Sequence, residues 1–282
     1  MWHQRLKKCI GFVALALVWF SPAAANAADN GFSGGVTPSR FEMRGEQGQL
    51  LRKSLKIYNL GARPQQFNVK TVDWQFSDAG EISFHEPLAA DSCRPWVRLE
   101  RHRINVVPDP QRPRNFRFEI QVPEGELDRE CRFAIMIESL DGDYAANFAQ
   151  GAVKLPISGR IAVIVYLGIG DVASEIEVGE VAVRRNDNGR GYPSIEVVNL
   201  GSAHGRLDAD LVAADVEGRR VKLSIATSPI LPGQRRHLVL TPQTEDELVY
   251  PVKVTGRVFT DKGAATIKKT IQSKRPGLLA TK

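Results

Sequence analysis

A six-residue stretch and its echo constrain this chain more than any other feature. Lys56-Ile57-Tyr58-Asn59-Leu60-Gly61 returns 140 positions later as Glu196-Val197-Val198-Asn199-Leu200-Gly201. Each copy closes an alternating strand and leads into another with an aspartate near its end, Asp73 or Asp215. Each then reaches a turn glycine, Gly80 or Gly218. Farther on, Val106-Val107-Pro108 and Leu231-Pro232-Gly233 each precede a further alternating strand. Two copies in one order predict duplicated domains, with the boundary near Gly168-Ile169-Gly170. The Asn-Leu-Gly step itself reads as a tight hairpin turn, because Asn and Gly tolerate positive φ.

The segments between turns carry apolar residues two apart, as in Phe116-Arg117-Phe118-Glu119-Ile120 and Phe67-Asn68-Val69. That period dries one face of a sheet and wets the other. No stretch holds a helical period with caps, so the prediction is all-β, two tandem sandwich domains.

Residues 1–27 stand apart from this pattern. Arg5, Lys7 and Lys8 precede the uncharged apolar run Ile10 to Phe20, and Ala25-Asn26-Ala27 is a small-x-small cleavage site. This is the layout of a cleaved secretory signal, and the run is short for a bilayer span. The expected organisation is a signal peptide at 1–27, one sandwich at 28–168 and a second at 169–282. Three of the 38 basic residues and none of the 32 acidic ones leave with the signal, so the net charge of +6 falls to +3. So small a charge argues against nucleic acid, and no later segment predicts membrane insertion. Cys9 leaves too, and Cys93 and Cys131 remain. In an oxidising compartment an even pair reads as one disulfide, with two buried free thiols as the alternative.

Catalysis finds no support. His85, His102, His204 and His237 lie in no nucleophile motif and at no metal-ligand spacing. Asp73-Trp74 and Asp78 are carboxylates beside an aromatic, a pairing that recurs in sandwiches without chemistry. No glycine-rich phosphate loop follows a strand. The expectation is a binding protein with no enzymatic activity, cofactor or metal.

Several short motifs fall in an order that resembles the periplasmic pilus-assembly chaperones of the chaperone–usher pathway, the PapD-like family. Thr37-Pro38-Ser39-Arg40-Phe41 looks like their first strand, and Leu55 to Asn59 like their second. Leu127-Asp128-Arg129-Glu130-Cys131-Arg132-Phe133 is similar to their Asp-Arg-Glu signature. Val153-Lys154-Leu155-Pro156-Ile157, then Arg160 to Tyr166, resembles their long last strand, and Thr260-Asp261-Lys262-Gly263-Ala264 a turn of their second domain. The resemblance covers nearly the whole mature chain.

It implies two immunoglobulin-like domains meeting as an L in the periplasm, serving fimbrium biogenesis and handing pilin-like subunits to an outer-membrane usher. The last strand would be lent to a subunit that lacks one, with Val153, Leu155, Ile157 and Ile161 as donor residues. Arg40 and Arg160 would anchor the subunit's terminal carboxylate. A solvated strand arginine is the alternative for each, and ordinary sandwich core the alternative for the donor residues. Glu130 and Asp261 match acidic residues between the domains. Their basic partner is open, because Leu167 stands where the family has arginine, and Lys262 or Arg257 are candidates. An exposed donor edge also allows self-capping as a dimer. A structural or adhesive surface component is the competing reading, although such a subunit would be a single incomplete sandwich.

Overall fold

The structure, a computed structural model, describes residues 33–77, 80–140, 143–148, 151–156, 159–185, 191–244 and 248–272, of which 143–148 and 151–156 by backbone alone. The signal segment 1–27, Asp78 and Ile157 lie outside the described residues. Strands account for nearly all regular structure. In the first half they are β1 (Gly34–Thr37), β2 (Arg40–Gly45), β3 (Leu50–Asn59), β4 (Gln65–Phe76), β5 (Ile82–His85), β6 (Val97–Leu99), β7 (Arg103–Val106), β8 (Arg114–Gln121), β9 (Arg129–Ser139), β10 (Asp143–Phe148), β11 (Gly151–Pro156) and β12 (Arg160–Ile169). The second half contains β13 (Ile176–Arg185), β14 (Gly191–Asn199), β15 (Asp208–Ala214), β16 (Arg220–Ile225), β17 (Arg235–Pro242), β18 (Val252–Thr260) and β19 (Gly263–Ile271).

Two sheets enclose the core of the first half, in the orders β1-β3-β8-β6 and β2-β12-β9-β4-β5 with β7 paired to β4, and β10 and β11 form a separate two-stranded ladder. The first edge strand changes sheets: β1 pairs β3, and after Pro38 β2 runs parallel to β12. The inner faces enclose one core that includes Phe67, Phe116, Phe118, Phe133, Val165 and Leu167. Strand β8 alternates cleanly because its other face meets water. Strand β9 does not. Its Phe133, Ile135 and Ile137 enter that core, while Ala134 and Met136 join a second cluster on the far side of the sheet. Burial on both faces erases the period of two. Cys93 and Cys131, each 1% exposed in the core, form a disulfide with a Cα–Cα distance of 6.1 Å.

The second half has its own core, including Val197, Leu211, Leu240 and Val254. Its strands are ordered β13-β14-β17-β16-β15-β18-β19. Strand β17 joins two layers, pairing β14 through 235–239 and β16 through 240–242. The ends of this order return toward each other, with Lys269 of β19 held 3.4 Å from Glu180 of β13. The molecule is thus all-β, two tandem immunoglobulin-like sandwiches.

The repeat persists in hydrogen-bond detail, and its physical reading changes. Neither Gly61 nor Gly201 has a positive φ. The step is no hairpin, because β3 and β4 lie in different sheets, and β14 and β15 share no ladder. Asn59 is instead a buried clamp. Its Nδ2 donates to Arg63 O at 2.6 Å and Val106 O at 2.9 Å, and its Oδ1 accepts from Gly61 N at 3.0 Å. Asn199 repeats this, donating to Ala203 O and Ile230 O, both at 2.8 Å, and accepting from Gly201 N at 2.9 Å. Buried amides need such partners, so the asparagine fixes the crossing between layers. Gly201 permits close approach, since a Cβ there would lie 2.4 Å from Ala173 O.

Candidate functional site

Strand β12 is central to the first half only over part of its length. Its full span pairs β9, from Arg160 opposite Glu138 to Ile169 opposite Arg129. On its other side β2 pairs only Ile164 to Ile169. Over 160–163 that side pairs with no strand among the described residues. Ser139 N donates to Gly159 O, and Ile164 N to Ser39 O. By antiparallel alternation, odd-numbered residues of β12 bond β9 and even-numbered ones point the other way. The amides of Arg160 and Ala162 therefore face an open edge in line with β2.

The same hairpin continues outward. Strands β10 and β11 pair from Asp143 opposite Pro156 to Phe148 opposite Gly151. Between the two ladders four residues intervene on one strand and three on the other, so the register shifts by one. Val153 and Leu155 thus lie on β11 and Ile161 on β12.

The even-numbered side chains of β12 face the second half. Half-buried Ala162 and Ile164 continue an apolar strip through Val72, Ala134, Met136 and Trp74 to Tyr166, and Leu231 of the second half packs on it. Arg40 stands on this face opposite Ile164. Arg160 is on the same face four residues away, about 13 Å along the strand, so the two are not brought together. Glu138 lies opposite Arg160 and binds Lys70 at 3.0 Å. Lys70 also binds Glu86 at 2.6 Å, and that hydrogen bond raises the Lys70 pKa above its ordinary value.

Beyond the strip the halves meet through ionic groups. Glu130 is almost buried and accepts from His204 N at 2.9 Å and pairs with His204 Nδ1. Arg132 Nη1 is 3.4 Å from the other oxygen of Glu130. The basic group reaching Glu130 across the halves is thus His204. Lys262 pairs with Glu175, and Arg257 lies over the Phe259 ring. Asp261 accepts from Ser174 Oγ on the segment joining the halves. Sequence reasoning missed His204, which lies 74 residues from Glu130 with no motif around it. His204 stacks on Tyr166 with centroids 3.8 Å apart. Beside them is a cleft of about 440 Å³, lined by Glu42, Arg44, Tyr166, His204, Arg206 and Asp261 among others.

Burial pushes the Tyr166 phenol up to about 12. An unfolded tyrosine titrates near 10. Its contribution to stability is therefore complete below pH 10 and is lost as pH rises from about 10 through about 12. Denaturant midpoints measured from pH 9 to 12 should fall less steeply for Tyr166→Phe than for the parent protein. Equal slopes would contradict this burial effect.

No protein-family model matches the chain, and no curated protein sequence matches it. Similar solved structures exist. The YadV chaperone is 10% identical with a TM-score of 0.45, over 85% of this chain and 99% of its own. The chaperone DraB of E. coli is 16% identical with a TM-score of 0.41, over 86% and 98%. A complex of CsuC, a chaperone, with the tip subunit CsuE from Acinetobacter baumannii pili gives 11%, 0.44, 84% and 97%. At these identities the likeness is one of fold. No helix among the described residues is long and apolar enough to cross a membrane.

Proposed function

We propose that this chain is a periplasmic chaperone that caps pilin-like subunits by lending them the open edge of its last strand, then delivers them to an outer-membrane usher. The observation that carries this reading is the half-paired strand β12, covered by β2 over 164–169 and open over 160–163. An open edge with its amides pointing outward is a template for strand addition. A subunit lacking a strand has the complementary defect, and mutual pairing satisfies both. Val153, Leu155, Ile157 and Ile161 form the alternating apolar series of the donor run. Arg40 and Arg160 put positive charge on the cleft-side face, where a partner's chain end can be held. In this reading the domains are 28–168 and 169–282, Glu130 and Asp261 stabilise their junction, and the chain performs no catalysis. The same open edge permits a self-capped dimer in the absence of a subunit.

Co-expression with a candidate subunit, followed by co-purification, tests the proposal. The parent protein should recover a stable complex. Arg40→Ala and Leu155→Glu should each lower recovery roughly tenfold, as loss of an anchor or of a groove-filling residue predicts. Unchanged recovery with both substitutions would contradict the capping model.

A further inference from the structure

Two arginines, one from each half, converge on a single carboxylate oxygen. Arg40 Nε and Arg206 Nη1 each lie 2.8 Å from Glu42 Oε1. His204 Nε2 is 3.7 Å from that same oxygen and 3.1 Å from Arg206 Nη1. The Arg206 guanidinium also sits over the Tyr166 ring, 5.9 Å from its centroid. Arg206 is therefore steered by a ring and an imidazole as well as by its ion pair. Its side chain is 25% exposed, whereas that of Glu42 is 42% exposed at the mouth of the 440 Å³ cleft. Arg206 is thus the better fixed part of this cluster, whereas Arg40, 52% exposed, and the Glu42 carboxylate both reach water.

Guanidinium pairs are built to recognise carboxylates. An ion pair this exposed contributes little stability, so exchanging its carboxylate for another carries a small penalty. The exchange leaves the charge between the arginines unchanged and releases Glu42 into solvent. Arg160 does not share this geometry, because it lies four residues along β12 from the position opposite Arg40, itself opposite Glu138.

We propose that Glu42 is an internal stand-in for the chain-end carboxylate of a captured subunit, and that Arg206 of the second half is the arginine that completes the anchor with Arg40. The proposal rests on the capping reading. It makes the cleft self-occupied when empty of partner, and it makes capture depend on both halves at once. Arg160 then supplies only longer-range attraction.

Co-expression of the full chain with a candidate subunit, and quantification of the purified complex, tests this. Arg206→Ala should lower recovery at least about fivefold, and Arg160→Ala less than about twofold, as expected for a direct and a remote charge contact. Glu42→Gln should keep recovery at the parent level or raise it, since it removes the competitor. Extending the subunit by four residues at its C-terminus should reproduce the Arg206→Ala loss with the parent chain, which separates a chain-end carboxylate from an acidic side chain. If Glu42→Gln falls together with Arg206→Ala, the ion pair only braces the halves and the proposal is overturned. Arg206→Ala recovery equal to the parent's overturns it as well. Thermal midpoints check folding, and if Arg206→Ala fails to fold, the sign of the Glu42→Gln effect decides alone. If the parent recovers no complex, the capping reading itself fails and this anchor with it. A loss confined to Arg40→Ala and Leu155→Glu leaves that reading intact and removes only the role of Arg206.

Discussion

Replacing Ala162 with proline should reduce recovery of a complex with a subunit at least roughly tenfold, while the free protein stays folded. The expectation follows from which way one amide points. The N–H of Ala162 faces the side of β12 that β2 leaves open over 160–163. Proline there removes no bond to β9, and proline is tolerated at strand edges. Its ring would stand in the path of an incoming strand and delete a donor the partner needs. The neighbouring substitution is the control. Val163 is fully buried, and its amide points toward Ile135 of β9. Proline at 163 should therefore destabilise the fold strongly, since it deletes a ladder hydrogen bond in the middle of a sheet. Circular dichroism and thermal melting distinguish the outcomes. A folded Ala162→Pro protein that captures a subunit as well as the parent would show that the edge is not the binding surface.

The second large effect concerns the Cys93–Cys131 disulfide. The bridge closes a separation of 38 residues. In the chain-entropy model such a loop stabilises the folded state by about 4 kcal/mol. The bridged strand β9 is buried on both faces, so the constraint acts inside the core of the first half. Changing both cysteines to alanine should lower the unfolding midpoint of the first half by about 10 °C or more. The transition of the second half, whose core includes neither residue, should move far less. Mass measurement of the unreduced parent protein should find no free thiol at either position. Two free thiols, or an unshifted first transition, would refute the stabilising role.

Particular residues show how much of this was legible beforehand. The strands at 55–58, 116–122 and 195–198 could be read because each buries one face, which leaves a period of two, and 67–72 shows that period through Phe67 and Val69 before Val72 joins the far cluster. The duplication was visible in Asn59 and Asn199, although their role was not. A hairpin turn and a buried clamp use the same two residue types. Only the neighbouring carbonyls, Val106 O and Ile230 O, decide between them. The cysteine pairing was open because spacing does not reveal whether two Cα atoms come within bonding range. The last strand read as one run, whereas the structure divides its described part into β11 and β12 with a shift of register. Hydropathy carries no record of a single extra residue on the opposing strand.

The site was less legible for a related reason. Arg40 was found through its place in a motif. Glu42, His204 and Arg206 gather only when the two halves meet, and no local pattern marks them. Charge clusters assembled from distant strands depend on register and docking, neither of which a linear pattern encodes. The apolar strip from Val72 to Ile164 has the same origin. Its members come from three strands that are neighbours only in the folded sheet.

The central claim is that a partner strand pairs with the open edge of β12. Amide hydrogen exchange, resolved to single residues, tests this most directly in the free protein and in its complex with a subunit. The account predicts that the amides of Arg160 and Ala162 exchange quickly when free and become strongly protected in the complex, while those of Ile161 and Val163, already bonded to β9, change little. Protection elsewhere with Arg160 and Ala162 still exchanging freely would contradict strand addition at this edge.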